Sequence, residues 1–143
     1  MTDLVALREA LAAEQAIVYG YGVVGAHLSG KYEQLAAARL VIHQNRRDQI
    51  ASLITGLGAV PPPSQPAYKL PYPVTGAVTA KRLAAQLEVG AAGAAWDLAA
   101  ATESQSSARD IAVDWLTDAA IATSGWDLEI PSLPGRPGAT AAG

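Results

Sequence analysis

Apolar positions recur at alternating steps of three and four over four segments of the chain, the spacing of a buried stripe on an α-helix. In the first segment Leu4, Leu7, Leu11, Glu14, Val18, Tyr21, Gly25 and Leu28 share a face. Thr2 stands at a capping position, and Gly30 stands where a left-handed C-cap is expected. The second segment carries Ala36, Leu40, His43, Arg47, Ile50, Ile54 and Leu57, and ends at Gly58. A third helix is predicted from about Thr79 to Glu103, with Ala84, Glu88, Ala91, Ala95 and Leu98 on one side. The fourth opens at "SSARD", where Ser107 and Asp110 have capping-box spacing, and continues through Ile111, Trp115, Ala119 and Ala122 to about Trp126.

The connections limit how these helices pack. Two or three residues around Ser29 to Lys31 join the first pair, and a similar turn near Ser104 to Ser106 joins the second, so each pair forms an antiparallel hairpin. Between the hairpins lies "AVPPPSQPAYKLPYPVTG", residues 59–76, with six of the nine prolines. Proline removes the backbone donor and fixes φ, so this stretch is excluded from helix and favours extended, polyproline-like backbone. At roughly 3.1 Å per residue, about ten such residues run the length of a bundle about 30 Å tall. Two hairpins joined by one long crossover give an all-α, ferritin-like antiparallel four-helix bundle, expected over residues 1–127. Residues 128–143, "LEIPSLPGRPGATAAG", have no periodicity and are expected to form an extended or flexible tail unless a partner surface orders them.

The stripes hold charges where apolar residues belong. Glu14 precedes Gly30 by 16 residues, and Glu88 precedes Ser104 by 16, so the two hairpins carry these carboxylates at the same height above their turns. His43 lies 29 residues after Glu14, and the same interval from Glu88 falls on Thr117. One turn earlier stand Leu40 and Asp114. Carboxylate-bridged di-iron bundles place one Glu on each of two helices and Glu-x-x-His on each of the other two. The corresponding positions here read Glu14, "LVIH", Glu88 and "DWLT".

On these residues the chain resembles the ferritin-like superfamily. "EQAIVYGYGVVGAHL", "HQNRRDQI" and "PPPSQPAYKLPYPV" are similar to an actinobacterial ferritin-like domain family of unknown function. The resemblance implies a four-helix fold and descent from metal-binding bundles, and brings no established activity. It carries ligand positions onto Glu14, His43 and Glu88, with Asp114 as a weaker match. Leu40 and Thr117 depart from the pattern, which leaves at most four of six protein ligands and puts ferroxidase or oxygenase chemistry in doubt.

Two readings of the layer follow. In one, Arg47, one turn beyond His43, joins Glu14, His43 and Glu88 in a buried ion-pair cluster that neutralises itself with no cofactor, a degenerate di-iron site turned into a polar core. Buried charges need such partners, since stranding one costs several kcal/mol. In the other, Glu14, His43, Glu88 and Asp114 hold a single Fe, Mn or Zn ion with redox or metal-handling activity.

Composition narrows the remaining classes. Half the residues are hydrophobic, Phe is absent, and Ala and Leu dominate, which favours closely packed helices over a sheet core. A formal charge of −3 offers no basic patch for nucleic acid. No Cys removes thiolate chemistry, and two His leave no Ser-His-Asp arrangement to argue for, so no catalytic residue is assigned. The N-terminus lacks the features of a signal peptide and no stretch has membrane-span character, so a cytoplasmic protein with no membrane partner is expected. "YGYGVVG" follows no strand and is no nucleotide loop; its glycines are expected where a backbone approaches closely, with Gly22 and Ala26, or Gly25 and Ser29, as small-residue pairs. Tyr19 and Tyr21 point to different faces, so at most one reaches the layer to donate to a carboxylate. His27 is placed at a helix C-terminus, and Arg46 with Asp48 on a solvated or subunit-facing side. Homodimerisation through an Ala/Gly-rich helix face is expected, with a protein partner at the crossover 59–76 or the tail 128–143.

Overall fold

The computed structural model describes residues 2–102 and 106–126; the tail 128–143 lies outside them. Helix α1 spans Thr2–Ala26, α2 Gly30–Gly56, α3 Ala77–Ala101 and α4 Ser107–Thr123, followed by a 3-10 turn at Ser124–Trp126. No strand occurs among the described residues, and the fold is the all-α ferritin-like bundle with one long crossover. The closely packed pairs are α1–α2, α3–α4 and, between the hairpins, α1–α3.

Local chemistry sets the boundaries. Ser29 is extended at φ −142°, and Gly30 takes the left-handed φ of +62° that a residue with a Cβ resists, so the chain reverses within three residues of Ala26. Gly58, at φ +79°, closes the end of α2. The start of α4 differs from the expectation by one residue: Ser106, not Ser107, is the cap, and its hydroxyl accepts from the Arg109 backbone N–H at 3.1 Å. The α3 start is held by Thr79, whose Oγ1 accepts from the backbone N–H of Thr75 and Gly76.

Two apolar clusters fill the bundle. One gathers Ile17, Tyr21, Val24, Ala36, Leu83, Ala84 and Trp126; the other Leu7, Leu11, Ile50, Ile54, Leu98 and Ala112. Alanine at so many buried positions lets helices approach closely, and the bulky contribution at one end comes from Trp126, wholly buried with its ring 6.2 Å from Tyr21 and 6.4 Å from Tyr32. Among the glycines of "YGYGVVG", Gly20 meets a neighbour: a Cβ there would lie 2.7 Å from Leu87 Cδ1, whereas Gly22 and Gly25 have nothing within 4 Å. The close approach expected at Gly22 or Gly25 is therefore at Gly20, and it is to a side chain.

The crossover is fastened along the bundle. Gln15 Nε2 donates to the Pro62 carbonyl at 2.8 Å, the rings of Tyr19 and Tyr68 meet at 5.9 Å, and Leu70, Tyr72 and Val74 pack on the first cluster. Between the two apolar clusters runs a layer of buried polar side chains.

Candidate functional site

Each of the four helices puts at least one charged side chain into this layer. Glu14 of α1 sits between Leu11 and Ile17, which belong to different apolar clusters, and is 4 % exposed. His43 of α2 and Glu88 of α3 are fully buried. His43 Nδ1 lies 2.6 Å from Glu14 Oε2, and its Nε2 lies 2.9 Å from Glu88 Oε1. A neutral imidazole has one donor and one acceptor nitrogen, so a ring flanked by two carboxylates is satisfied only as the imidazolium, donating at both. Burial opposes that charge, but the hydrogen bonds to Glu14 and then Glu88 outweigh it and raise the His43 pKa above its ordinary value.

Glu88 is the hub. Its Oε1 accepts from the Tyr21 hydroxyl at 2.6 Å, from His43 and from Arg39 Nε at 2.9 Å, and its Oε2 accepts from Arg39 Nη2 at 2.9 Å. The Arg39 contact is the two-pronged guanidinium–carboxylate geometry that gives the strongest ion pairs. Burial alone would raise the Glu88 pKa; the hydrogen bonds from His43 and Arg39 dominate and bring it down to about 2. Tyr21 stacks on His43 with ring centres 5.5 Å apart, and burial, followed by the Glu88 charge, pushes its phenol well above the usual range.

Beyond Arg39 the layer reaches α4. Asp118 Oδ2 accepts from Arg39 Nη2 at 2.9 Å and also from Arg46 Nη2, while the Arg46 guanidinium lies over the Trp115 ring at 5.3 Å. Although partial burial works against it, hydrogen bonding from Arg39 lowers the Asp118 pKa. With His43 protonated, the carboxylates of Glu14, Glu88 and Asp118 balance Arg39, His43 and Arg46, and the layer is neutral.

The structure departs from the expected cluster on α2 and on α4. Arg47, expected beside His43, lies outside the layer and pairs with its neighbour Asp48 at 3.0 Å. Arg39 and Arg46 enter instead; Arg46 had been expected on a solvated side. The reason is helical geometry: steps of three and four alternate, so 36–39–43–46–50 is as good a stripe as 36–40–43–47–50, and the buried face of α2 follows the first. Asp114 is exposed, and Asp118, one turn on, takes the α4 position. Tyr21 donates to Glu88, while Tyr19 turns to the crossover. His27 Nδ1 is 2.9 Å from the Val23 carbonyl at the end of α1.

A ferritin-like fold implies a metal centre, and the donors present do not fit one. A metal-binding His must be neutral and aim a lone pair at the ion, whereas both His43 nitrogens face carboxylate oxygens directly. Glu88 has both oxygens engaged, each accepting from one prong of the Arg39 fork. Leu40 stands one turn before His43, where the di-iron pattern has a carboxylate, Thr117 is exposed on α4, and among the described residues no group of three or more His, Asp or Glu side chains is placed to hold an ion. The side chains touch one another instead.

Comparison with known proteins agrees with this architecture. The family model described as "Domain of unknown function (DUF4439)" matches residues 6–138. The crystal structure of a conserved hypothetical protein from Mycobacterium tuberculosis is similar, with 33% identity, 88% of each chain covered and a TM-score of 0.83. A dodecameric thioferritin, the bacterioferritin-related protein from Bacteroides fragilis, shares the fold at 18% identity, covering 87% of this chain and 81% of its own, with a TM-score of 0.74. None of the curated proteins matches the chain.

Proposed function

The chain belongs to the DUF4439 family of ferritin-like fold, and from that premise we propose that it is a non-catalytic bundle in which a self-neutralising ion-pair layer replaces the di-iron centre and which acts by association with other macromolecules. The observation that carries this reading is the contact of His43 with a carboxylate on each side, Glu14 and Glu88. A cation entering there would have to displace both His43 protons and break the Arg39 fork on Glu88. A guanidinium already supplies the positive charge that an ion would bring.

Association is proposed to use the outer α1–α3 face. A groove of about 380 Å³ there is lined by Ala6, Ala10, Ala13, Gly90 and Gly93, with Glu9 and Asp97 at its edges, and no member of the polar layer lines it. Trp96 and Val89, on the same helix, are 63% and 59% exposed. A second copy of the chain is the occupant expected, and the Pro-rich crossover is the alternative contact segment. Among the described residues no helix is long and apolar enough to cross a membrane.

Metal analysis of the purified protein tests the first half. Substoichiometric Fe, Mn and Zn, with no rise in melting temperature on adding these ions, is the expected result. A stoichiometric ion that disappears in Glu14→Ala and Glu88→Ala would overturn it and establish the alternative, a small metalloprotein with redox or metal-handling activity. Size in solution tests the second half: a dimer that Gly93→Lys, in the lining of the groove, dissociates is expected, and a monomer at all concentrations refutes the α1–α3 contact.

A further inference from the structure

The outer end of the polar layer holds a donor that the ion pairs do not use. Arg46 is 5% exposed, and its Nη1 is buried with no hydrogen-bond partner among the described residues. It touches Asp118 through Nη2 alone, and its guanidinium carbon lies over the Trp115 ring at 5.3 Å. Asp118 is shared by both arginines, yet its side chain is 43% exposed. The layer therefore opens to solvent between α2 and α4, which are not among the closely packed helix pairs.

An unpaired, buried guanidinium N–H loses its hydration without compensation, and an acceptor that reaches it recovers that loss. Water would satisfy one N–H. An oxyanion offers two or more oxygens to a fork of parallel donors, the match for which guanidinium is suited. The half-exposed Asp118 carboxylate can turn out to water as such a ligand enters, and exchange of one carboxylate for a monoanion keeps the layer neutral.

We propose that the seam between α2 and α4 is a binding site for a small oxyanion of the phosphate or carboxylate class, held by Arg46 with Arg39 beside it, and that Asp118 is its built-in competitor. The site adjoins the Glu14–His43–Glu88 contacts through Arg39 and does not depend on whether the protein works by association.

Calorimetric titration of the full-length protein with inorganic phosphate, and separately with acetate, at ionic strength held constant with chloride, tests this. Saturable one-site binding is expected, and the tighter of the two arms identifies the oxyanion. Arg46→Gln should weaken it by about tenfold or more, the worth of one charge-assisted hydrogen bond. Asp118→Asn should strengthen it by removing the competitor, and Arg47→Gln, on the exposed neighbour, should leave it unchanged. Arg46→Lys, which keeps the charge but not the fork, replaces Arg46→Gln if the latter does not fold and should also weaken binding. Absence of saturable binding in both arms overturns the proposal. So does equal weakening by Arg46→Gln and Arg47→Gln, the mark of diffuse charge, or weaker binding in Asp118→Asn.

Discussion

The two hairpins contribute to the polar layer with opposite charge. The α1–α2 hairpin supplies Glu14 and every cation, Arg39, His43 and Arg46, all from α2; the α3–α4 hairpin supplies only the acids Glu88 and Asp118. In the di-iron pattern the hairpins are equivalent, each giving Glu and Glu-x-x-His to a shared pair of ions. Here the equivalence is broken at Leu40 and Thr117. Apart from His43–Glu14, each ion pair of the layer crosses from one hairpin to the other. The layer is thus a clasp between hairpins, and it bridges α2 to α4, which are not among the closely packed helix pairs.

Within the clasp the inner and outer ends differ in exposure, and the largest expected effect lies at the inner end. Glu88→Ala would remove the acid that Arg39 and His43 share, leaving them only Asp118 and Glu14 and the buried layer with one positive charge in excess. Loss of about 3–5 kcal/mol in urea unfolding is expected, as for removal of one partner from a buried pair. A loss below about 1 kcal/mol would mean that the hairpins are held by apolar contact alone. Glu88→Gln, which keeps the shape and some hydrogen bonds, should cost less than Glu88→Ala.

The pH dependence separates the two signs of charge. Glu88 titrates at about 2 in the fold against 4.5 unperturbed, so its contribution is complete above about 4.5 and is lost as pH falls toward 2. Asp118, also lowered, adds to that acid limb. His43 is raised from 6.5, so its contribution is complete below that value and is lost as pH rises through the folded value. Urea midpoints measured across pH should therefore fall on both sides of a weakly acidic maximum. In His43→Gln the alkaline limb should flatten, and persistence of that limb would show that the ring is neutral in the fold.

Smaller effects are expected at the outer end. Asp118→Ala should cost about 1 kcal/mol, since its exposed carboxylate is partly screened, although it serves two buried arginines. A cost as large as that of Glu88→Ala would erase the distinction between the two ends. Smallest of all, Arg47→Ala should stay within about 0.5 kcal/mol, because its partner Asp48 is an exposed neighbour. If Arg47→Ala proved more costly than Arg46→Ala, the arrangement of α2 described above would be wrong.

Much of this was legible along the chain because helical periodicity records burial. Four apolar stripes, two short turns and one proline-rich crossover define the bundle without reference to any contact, since only a helix repeats every 3.6 residues and proline has no donor to give one. The same stripes put Glu14, His43 and Glu88 at a common height. Periodicity could not choose between Arg39 and Leu40, or between Arg46 and Arg47, because adjacent residues sit only about 100° apart and a long side chain spans the difference. Nor could it choose Asp118 over Asp114, which share a face one turn apart. Those choices depend on how far α4 is displaced along α2 and on which arginine can reach a carboxylate of another helix. Such distances exist only once the hairpins are packed together, and only then does a row of isolated charges become a neutral layer.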